Sequence, residues 1–277
     1  MGTVVITGGT DGIGGGLARA CLDRGDRIVV VGRDEAKGRA LVAADGGTAA
    51  TFIAADLSLV SENRRVVAEI AQRFPVVDAV VLCARFYHSR RTVTSEGFEH
   101  TFALLYLSRF LLGEGLLDNL ERADQPVIVN VAGPGPNPVD VHWDDVQLAH
   151  DYDGTTALMQ SGRLNNLLGA GFVPRHPAAR TRYVLVNPGS TATSFAGEYD
   201  ASVAAHIESM KRFGKPVAQS VAPIARVIES PPREPLSAFV EGGRIGVDDA
   251  AFAPADAARL HDLTEGLLSA LAVPREA

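Results

Sequence analysis

The chain has 277 residues, of which 46% are hydrophobic, and this composition suits one large α/β domain with a substantial core. Its formal net charge is −7 and its 26 lysines and arginines are scattered, which argues against nucleic acid as a main partner. Cys21 and Cys83 stand alone, so we expect neither a disulfide framework nor a metal site.

The apolar runs of the sequence are short. None approaches the ~20 residues that a membrane-spanning helix needs. Met1-Gly2-Thr3 runs straight into a predicted strand, which we interpret as leaving no room for a signal peptide. We therefore expect a cytoplasmic protein that acts on a small molecule and has no membrane partner.

The first predicted elements are a strand at 4–6 and a helix, joined by a glycine-rich turn. Glycines in this turn permit a tight bend and a close approach of the backbone to a ligand. Free N–H groups at the start of the helix favour an anion. This context is typical of a dinucleotide-binding βαβ unit. The predicted cofactor contacts in the turn are Gly8, Thr10, Asp11, Gly12, Ile13 and Gly14.

Further apolar runs alternate with helical stretches, which is typical of a parallel, doubly wound sheet. We predict one Rossmann-type α/β domain over 1–277, with about seven parallel strands and helices on both faces. The later strands are expected at 27–32, 51–54, 76–83, 127–132, 183–187 and 237–240, and long helices at 97–120 and 155–170.

Residues 194–220 follow the sixth predicted strand. Such sheets bind ligands beyond the carboxyl ends of their strands, so this irregular stretch is a candidate substrate lid. Prolines at 216, 223, 231, 232 and 235 are expected to break up the approach to the seventh strand.

Charged residues follow the second and third strands. Arg33 could bind a 2′-phosphate, which favours NADP(H) over NAD(H). Asp34 is well placed to cap the next helix. Asp56 could accept a hydrogen bond from an adenine amino group, or it could cap a helix, and both interpretations stay open.

These motifs resemble the short-chain dehydrogenase/reductase family over nearly the whole chain. Thr7-Gly8 with Gly12-Ile13-Gly14 is similar to the family's cofactor motif, and 55–58 to its adenine-pocket motif. Segments 96–102, 110–112 and 142–147 look like the retinol-dehydrogenase-like branch, and 187–193 like the turn whose threonine contacts the nicotinamide end. The further cofactor contacts that the resemblance implies are Leu57, Ala84, Pro188, Gly189, Thr191 and Thr193.

The resemblance also implies a catalytic Asn-Ser-Tyr-Lys set, and this chain departs from it throughout. The matching positions are Leu105, Gly133, Met159 and Arg163. Leucine, glycine and methionine supply no side-chain donor, and losing a general acid costs ~10²–10⁴ in rate, so ordinary alcohol dehydrogenation is disfavoured. Arg163 keeps a cation that could hold ribose hydroxyls, but a guanidinium is a poor proton shuttle.

Replacement donors could come from loops after other strands. Arg85, Tyr87 and His88 follow the fourth strand, and His142 follows the fifth. Tyr152 is a tempting tyrosine, but it matches a non-catalytic aromatic of the resembled branch. For each of these residues we prefer the interpretation as a solvated loop or a packing side chain.

An intact cofactor motif combined with the absence of the family's proton relay is compatible with three hypotheses. The first is an atypical NADP(H)-binding oxidoreductase for a small hydrophobic substrate, such as a specialised metabolite with an iminium, quinone methide or conjugated C=C. The second is a non-redox isomerase, cyclase or dehydratase, and the third is a catalytically silent NADP(H)-binding protein. The long helices resemble the family's dimer contact, so a homodimer or homotetramer is expected.

Overall fold

The computed structural model describes residues 1–271, so the last residues of the predicted 1–277 domain lie outside it. Its strands are β1 (Thr3–Thr7), β2 (Arg27–Gly32), β3 (Ala50–Ala54), β4 (Ala79–Leu82), β5 (Tyr87–His88), β6 (Val127–Val131), β7 (Arg182–Asn187), β8 (Gly197–Glu198), β9 (Leu236–Val240) and β10 (Gly243–Ile245).

The helices pack on both faces of the sheet. Their bounds are α1 (Gly12–Asp23), α2 (Glu35–Ala44), α3 (Val60–Arg73), α4 (His100–Phe102), α5 (Ser108–Gly115), α6 (Leu117–Leu120), α7 (Gly154–Arg175), α8 (Ala201–Phe213), α9 (Val217–Glu229) and α10 (Pro254–Leu271). A π-helical turn, Ala103–Leu107, joins α4 to α5, and a 3₁₀ turn, Ala250–Phe252, precedes α10.

The main sheet confirms the predicted doubly wound architecture. Within residues 1–271 it has eight strands in the order β10-β9-β7-β6-β4-β1-β2-β3, and the pairings from β9 to β3 are all parallel. The edge strand β10 was not predicted. It pairs antiparallel with β9 across Glu241-Gly242, whose positive φ angles of 50° and 85° suit a two-residue hairpin turn.

Alternate residues of the central strands supply two hydrophobic clusters, one on each face. Val5 and Val29 face the cluster that includes side chains of α3, α5, α7 and α10. Val4 and Ile28 face the other cluster, with α1 and α9. Because both faces are covered, β1 and β2 are apolar along nearly their whole length.

Two predicted helices have different bounds in the structure. The helix expected at 97–120 begins at His100, because Glu99 caps it by accepting from the backbone N–H groups of Thr101 and Phe102. The helix expected at 155–170 is α7, which runs from Gly154 to Arg175. Like the other helices of residues 1–271, it lacks the length of apolar sequence that would cross a membrane.

The prediction that prolines break up the whole stretch before β9 is wrong for its first half. Pro216 is the N-cap of α9, and Pro223 lies inside that helix. The other three prolines lie between α9 and β9. The predicted lid likewise contains regular structure, namely β8 and α8.

We predict that Glu96 stabilises the start of α3. Its carboxylate accepts from Ser61 N at 3.0 Å and from Val60 N, and it places negative charge at a helix N-terminus. Replacing Glu96 by alanine should lower the free energy of unfolding by about 1–2 kcal/mol in urea denaturation.

Glu62→Ala on the same helix is the matched control. It removes an exposed ion pair with Arg65, which is worth at most ~1 kcal/mol. Equal losses for the two variants would contradict the capping role of Glu96.

Candidate functional site

A cavity of about 640 Å³ lies at the carboxyl edge of the sheet. One end is formed by residues after β1, β2 and β3, and the other, which we call the β4–β7 end, by residues at or after β4, β6 and β7. The sequence-predicted residues that line this cavity are Gly8, Thr10, Asp11, Gly12, Ile13, Gly14, Arg33, Asp56, Leu57, Ala84, Arg85 and Thr193.

The glycine turn after β1 is fixed by close backbone contacts. Gly8 has a φ of 64°, and a Cβ at this position would lie 2.9 Å from the Cα of Ala84. A Cβ on Gly14 would collide with the carbonyl oxygen of Gly8. Asp11 caps α1 by accepting from Gly12 N at 2.6 Å, so the helix begins at the cavity. This cradle fits the pyrophosphate of a dinucleotide, which needs backbone N–H groups and a close approach.

Two cations lie at the β2 end of the cavity. Arg33 stacks over the ring of Phe86, 4.6 Å from its centroid. Lys37 Nζ lies 2.5 Å from Asp11 Oδ2, and this contact lowers the pKa of Asp11 and raises the pKa of Lys37. Asp34 caps α2, as predicted, by accepting from Lys37 N.

Lys37 is a cavity residue that sequence reasoning missed. Its position in the first turn of α2, four residues after Arg33, was the available signal. Phe86, Leu104 and Phe195 also line the cavity and were not assigned to it, because no motif or spacing marks these apolar side chains as ligand contacts.

Of the two interpretations of Asp56, helix capping is wrong. The carboxylate of Asp56 accepts from Ser58 N at 3.0 Å and from Ser58 Oγ at 2.8 Å, whereas Glu96 caps α3. Asp56 thus forms a local turn that holds its side chain at the cavity wall.

Residues 193–200, which we call the strap, cross from β7 to the loop after β4. Thr193 lies against the glycine turn, 3.2 Å from where a Cβ on Gly12 would be. Beyond it, β8 pairs in parallel with β5, and Tyr199 stacks on Tyr87 with ring centroids 5.2 Å apart. The strap residues Ser194, Phe195 and Ala196 line the cavity.

The candidate replacement donors Tyr87 and His88 are buried beside the strap and do not line the cavity. His88 packs on His100, with ring centroids 4.4 Å apart, and its Nδ1 lies 3.2 Å from the Glu198 carboxylate. Both candidates therefore have packing roles.

Tyr152 and His142 also lie outside the cavity lining. Burial raises the pKa of Tyr152, whose hydroxyl lies 3.1 Å from the Glu99 carboxylate. The His142 side chain is exposed on the loop before α7, and its backbone N–H donates to Gln160.

The positions that match the family's catalytic set differ in how deeply they are buried. Leu105 is 3% exposed, within the π-helical turn, and its carbonyl accepts from Asn165 Nδ2 at 2.8 Å. Gly133 is exposed, with open space where a Cβ would lie. Met159 is 39% exposed. None of these three residues lines the cavity.

The Arg163 guanidinium is turned away from the expected ribose. It donates to the carbonyl of Ala250 and lies 3.6 Å from the Asp256 carboxylate, so the carboxyl-terminal helix holds it. This placement disagrees with the expectation that Arg163 takes the place of the family lysine at a cofactor.

Three other predicted cofactor contacts also lie outside the cavity lining. Thr191 is buried and its hydroxyl lies 2.6 Å from Ser220 Oγ. Pro188 and Gly189 form a turn against Glu241 of the hairpin between β9 and β10. As cofactor contacts these three residues stay predictions.

The family model of the short chain dehydrogenases matches residues 2–136. L-fucose dehydrogenase of Bos taurus is 30% identical over 128 residues, which cover 45% of this chain and 47% of that protein. Retinol dehydrogenase 14 of Mus musculus is 26% identical over 206 residues, which cover 69% and 62%. The amino-terminal half is thus similar to the short chain dehydrogenases, and a retinol dehydrogenase is among the relatives. The chain spans about half the length of the curated relatives it matches.

Solved structures share the fold over most of the described chain. An uncharacterized protein from Mycobacterium Paratuberculosis has a TM-score of 0.74 and 24% identity, covering 97% of this chain and 94% of that one. The NADPH-bound carbonyl reductase from chicken fatty liver has a TM-score of 0.66 and 14% identity, covering 88% and 98%. At these identities the likeness shows the fold alone.

We predict that His100 makes stability depend on pH. Burial, aided by His88, lowers the pKa of His100 from 6.5 to about 4, so the folded chain binds fewer protons here than the unfolded chain in that interval. Stability should therefore rise from about pH 4 to pH 6.5 and then level off, with a limiting slope of about 1.4 kcal/mol per pH unit.

Urea denaturation at a series of pH values checks this. His100→Phe should remove about 2 kcal/mol of the stability difference between about pH 4.5 and 6.5. His206→Phe on the exposed face of α8 serves as the comparison and should keep the wild-type profile. An unchanged slope in His100→Phe would assign the pH dependence to other groups.

Proposed function

We propose that the chain is an atypical short-chain-dehydrogenase-type oxidoreductase that binds NADP(H) and acts on a small hydrophobic substrate without a tyrosine–lysine proton relay. The observation that carries this proposal is the contrast between the cavity and the positions of the family's catalytic set. A glycine cradle, a helix N-terminus and cations at the β2 end line the cavity, while Leu105, Gly133 and Met159, outside the lining, stand where the resemblance implies donors. The bound nicotinamide would supply or accept the hydride.

Arg33 and Lys37 support the preference for NADP(H). Arg33 contacts the Phe86 ring through the face of its guanidinium. The N–H donors of Arg33 lie in the guanidinium plane, so a 2′-phosphate could still accept hydrogen bonds from them. The Lys37–Asp11 pair is largely exposed, and such pairs are worth at most ~1 kcal/mol, so Lys37 can exchange Asp11 for a phosphate at small cost.

The lining supports a substrate that needs no enzymatic proton. Leu104, Phe86 and Phe195 offer apolar surface. A simple ketone would lack a positioned acid, which costs ~10²–10⁴ in rate, and an oxyanion donor, which costs a further ~10²–10³. An iminium, a quinone methide or a conjugated C=C accepts a hydride without that requirement. The strap would cover such a substrate and would act as the lid.

We predict that Arg33→Gln lowers NADPH affinity about 10- to 100-fold and changes NADH affinity little, because a charge-assisted contact to the 2′-phosphate is worth about 1.5–3 kcal/mol. Fluorescence titration with both nucleotides measures this. Arg39→Gln, which removes an exposed cation paired with Glu35 on α2, is the matched control and should bind NADPH as the wild type does. Equal binding of NADPH and NADH by the wild type would contradict the preference.

We also predict NADPH consumption with a conjugated substrate. The loss of NADPH absorbance, together with product detection, should be at least about 100-fold faster with 2-cyclohexenone than with cyclohexanone, because the second needs the missing donors. A cyclic iminium and a quinone methide complete the substrate panel.

The same panel separates the alternatives. Turnover that is unchanged when the nucleotide is omitted would favour the isomerase, cyclase or dehydratase. NADPH binding without turnover of any member of the panel would favour the catalytically silent binding protein.

A further inference from the structure

Arg85 is an exposed cation on the wall of the cavity. It follows β4 in the run Cys83-Ala84-Arg85-Phe86, and it lines the cavity together with both of its neighbours. Within residues 1–271 it takes part in no ion pair, in contrast to Lys37, which is paired with Asp11. Its guanidinium therefore has planar N–H donors available for a ligand.

The strap brings a phenol beside this cation. Tyr199 is held by stacking on Tyr87, and its hydroxyl donates to the Phe195 carbonyl at 2.7 Å. Burial raises the pKa of Tyr199, and the nearby Arg85 opposes that rise. The phenol thus stays neutral, and the positive charge of Arg85 is left without a counterion there.

A second guanidinium lies behind the wall. Arg109 is 6% exposed, and it donates to the carbonyls of Val131 at 3.0 Å and Ala84 at 3.4 Å, both cavity residues. Within the described residues it has no carboxylate partner. Burial lowers the pKa of Arg109 to about 10, with Arg85 adding to the effect, so it remains charged at neutral pH.

The carboxylates of the cavity lining come after strands other than β4, β6 and β7. Asp11, Asp34 and Asp56 follow β1, β2 and β3, and each already has a partner within the fold. Among the described lining residues, the β4–β7 end therefore combines positive charge with the apolar side chains Leu104, Phe86 and Phe195. A flat apolar ring that carries a delocalised negative charge matches both properties.

We propose that the β4–β7 end of the cavity binds an aromatic oxyanion, an ionised enol or carboxylate on a planar ring, with Arg85 as its charged hydrogen-bond donor. This narrows the substrate class of the proposed function, and in that respect depends on it, to a conjugated C=C on a ring that also carries the anionic oxygen, and it disfavours the cationic iminium. Binding of the anion itself requires the cavity end and not the nucleotide.

The test compares two probes by calorimetric titration of the full chain, with and without NADP⁺. The probes are 2-hydroxy-1,4-naphthoquinone, which is ionised at neutral pH, and its neutral methyl ether, 2-methoxy-1,4-naphthoquinone. The wild type should bind the anion about 10- to 100-fold more tightly, as expected for a charge-assisted contact. Arg85→Gln should abolish the difference, and Arg85→Lys should retain part of it.

Arg90→Gln is the matched control, because it removes an exposed arginine of the same loop that lies outside the cavity lining. It should keep full discrimination. Equal binding or no binding of the two probes by the wild type, or unchanged discrimination in Arg85→Gln, would overturn the proposal.

A separate NADPH titration of Arg85→Gln distinguishes the two proposals. Arg85→Gln should bind NADPH as the wild type does, and a parallel loss of NADPH and anion binding would assign Arg85 to the dinucleotide and overturn this inference. Discrimination between the probes in a wild type that does not bind NADPH would support the anion site and reject the proposed function.

Discussion

The shape of the cavity depends on the contact between the carboxyl ends of β1 and β4. The hydroxyl of Thr7 accepts from the backbone N–H groups of Cys83 at 3.0 Å and Ala84 at 3.1 Å, so the two strand ends are fixed to each other. Gly8 then lies so close to Ala84 that only a residue without a Cβ fits. Because the turn is fixed here, α1 begins at the cavity, and the residues after β4 start from a defined position. Arg85 and the β5–β8 pair are both placed relative to this contact.

Leu105, which matches one position of the family's catalytic set, is part of the core packing. Leu105 is buried in the π-helical turn, and its carbonyl is occupied by Asn165. Asn165 in turn accepts from Asn130, whose amide also donates to the hydroxyl of Tyr183. The Leu105 side chain itself lies among apolar core neighbours, so a polar side chain without a partner at this position would be costly.

The sheet and the glycine turn could be predicted because their signals are local. β-branched runs such as 28–31 and glycines between a strand and a helix have few alternative structures. The β5–β8 pair could not be predicted, because two-residue strands carry no periodicity and their partners lie 110 residues apart. The direction of Arg163 was missed for a similar reason, since Ala250 is 87 residues further along the chain. Spacing predicts which residues reach the strand ends, but long-range packing decides where long side chains point.

The strap and the glycine turn differ in how firmly they are held. The strap joins β5 through the bonds from Tyr87 N to Ala196 O and from Ser89 N to Glu198 O, with Tyr199 stacked on Tyr87. An isolated pair of two-residue strands is marginal in water, and each of its hydrogen bonds contributes only about 0.5–1.5 kcal/mol. The turn beneath it is part of the central sheet, whose strands are buried on both faces. Separating the strap from β5 therefore costs far less than disturbing the glycine turn, which cannot move without the central sheet.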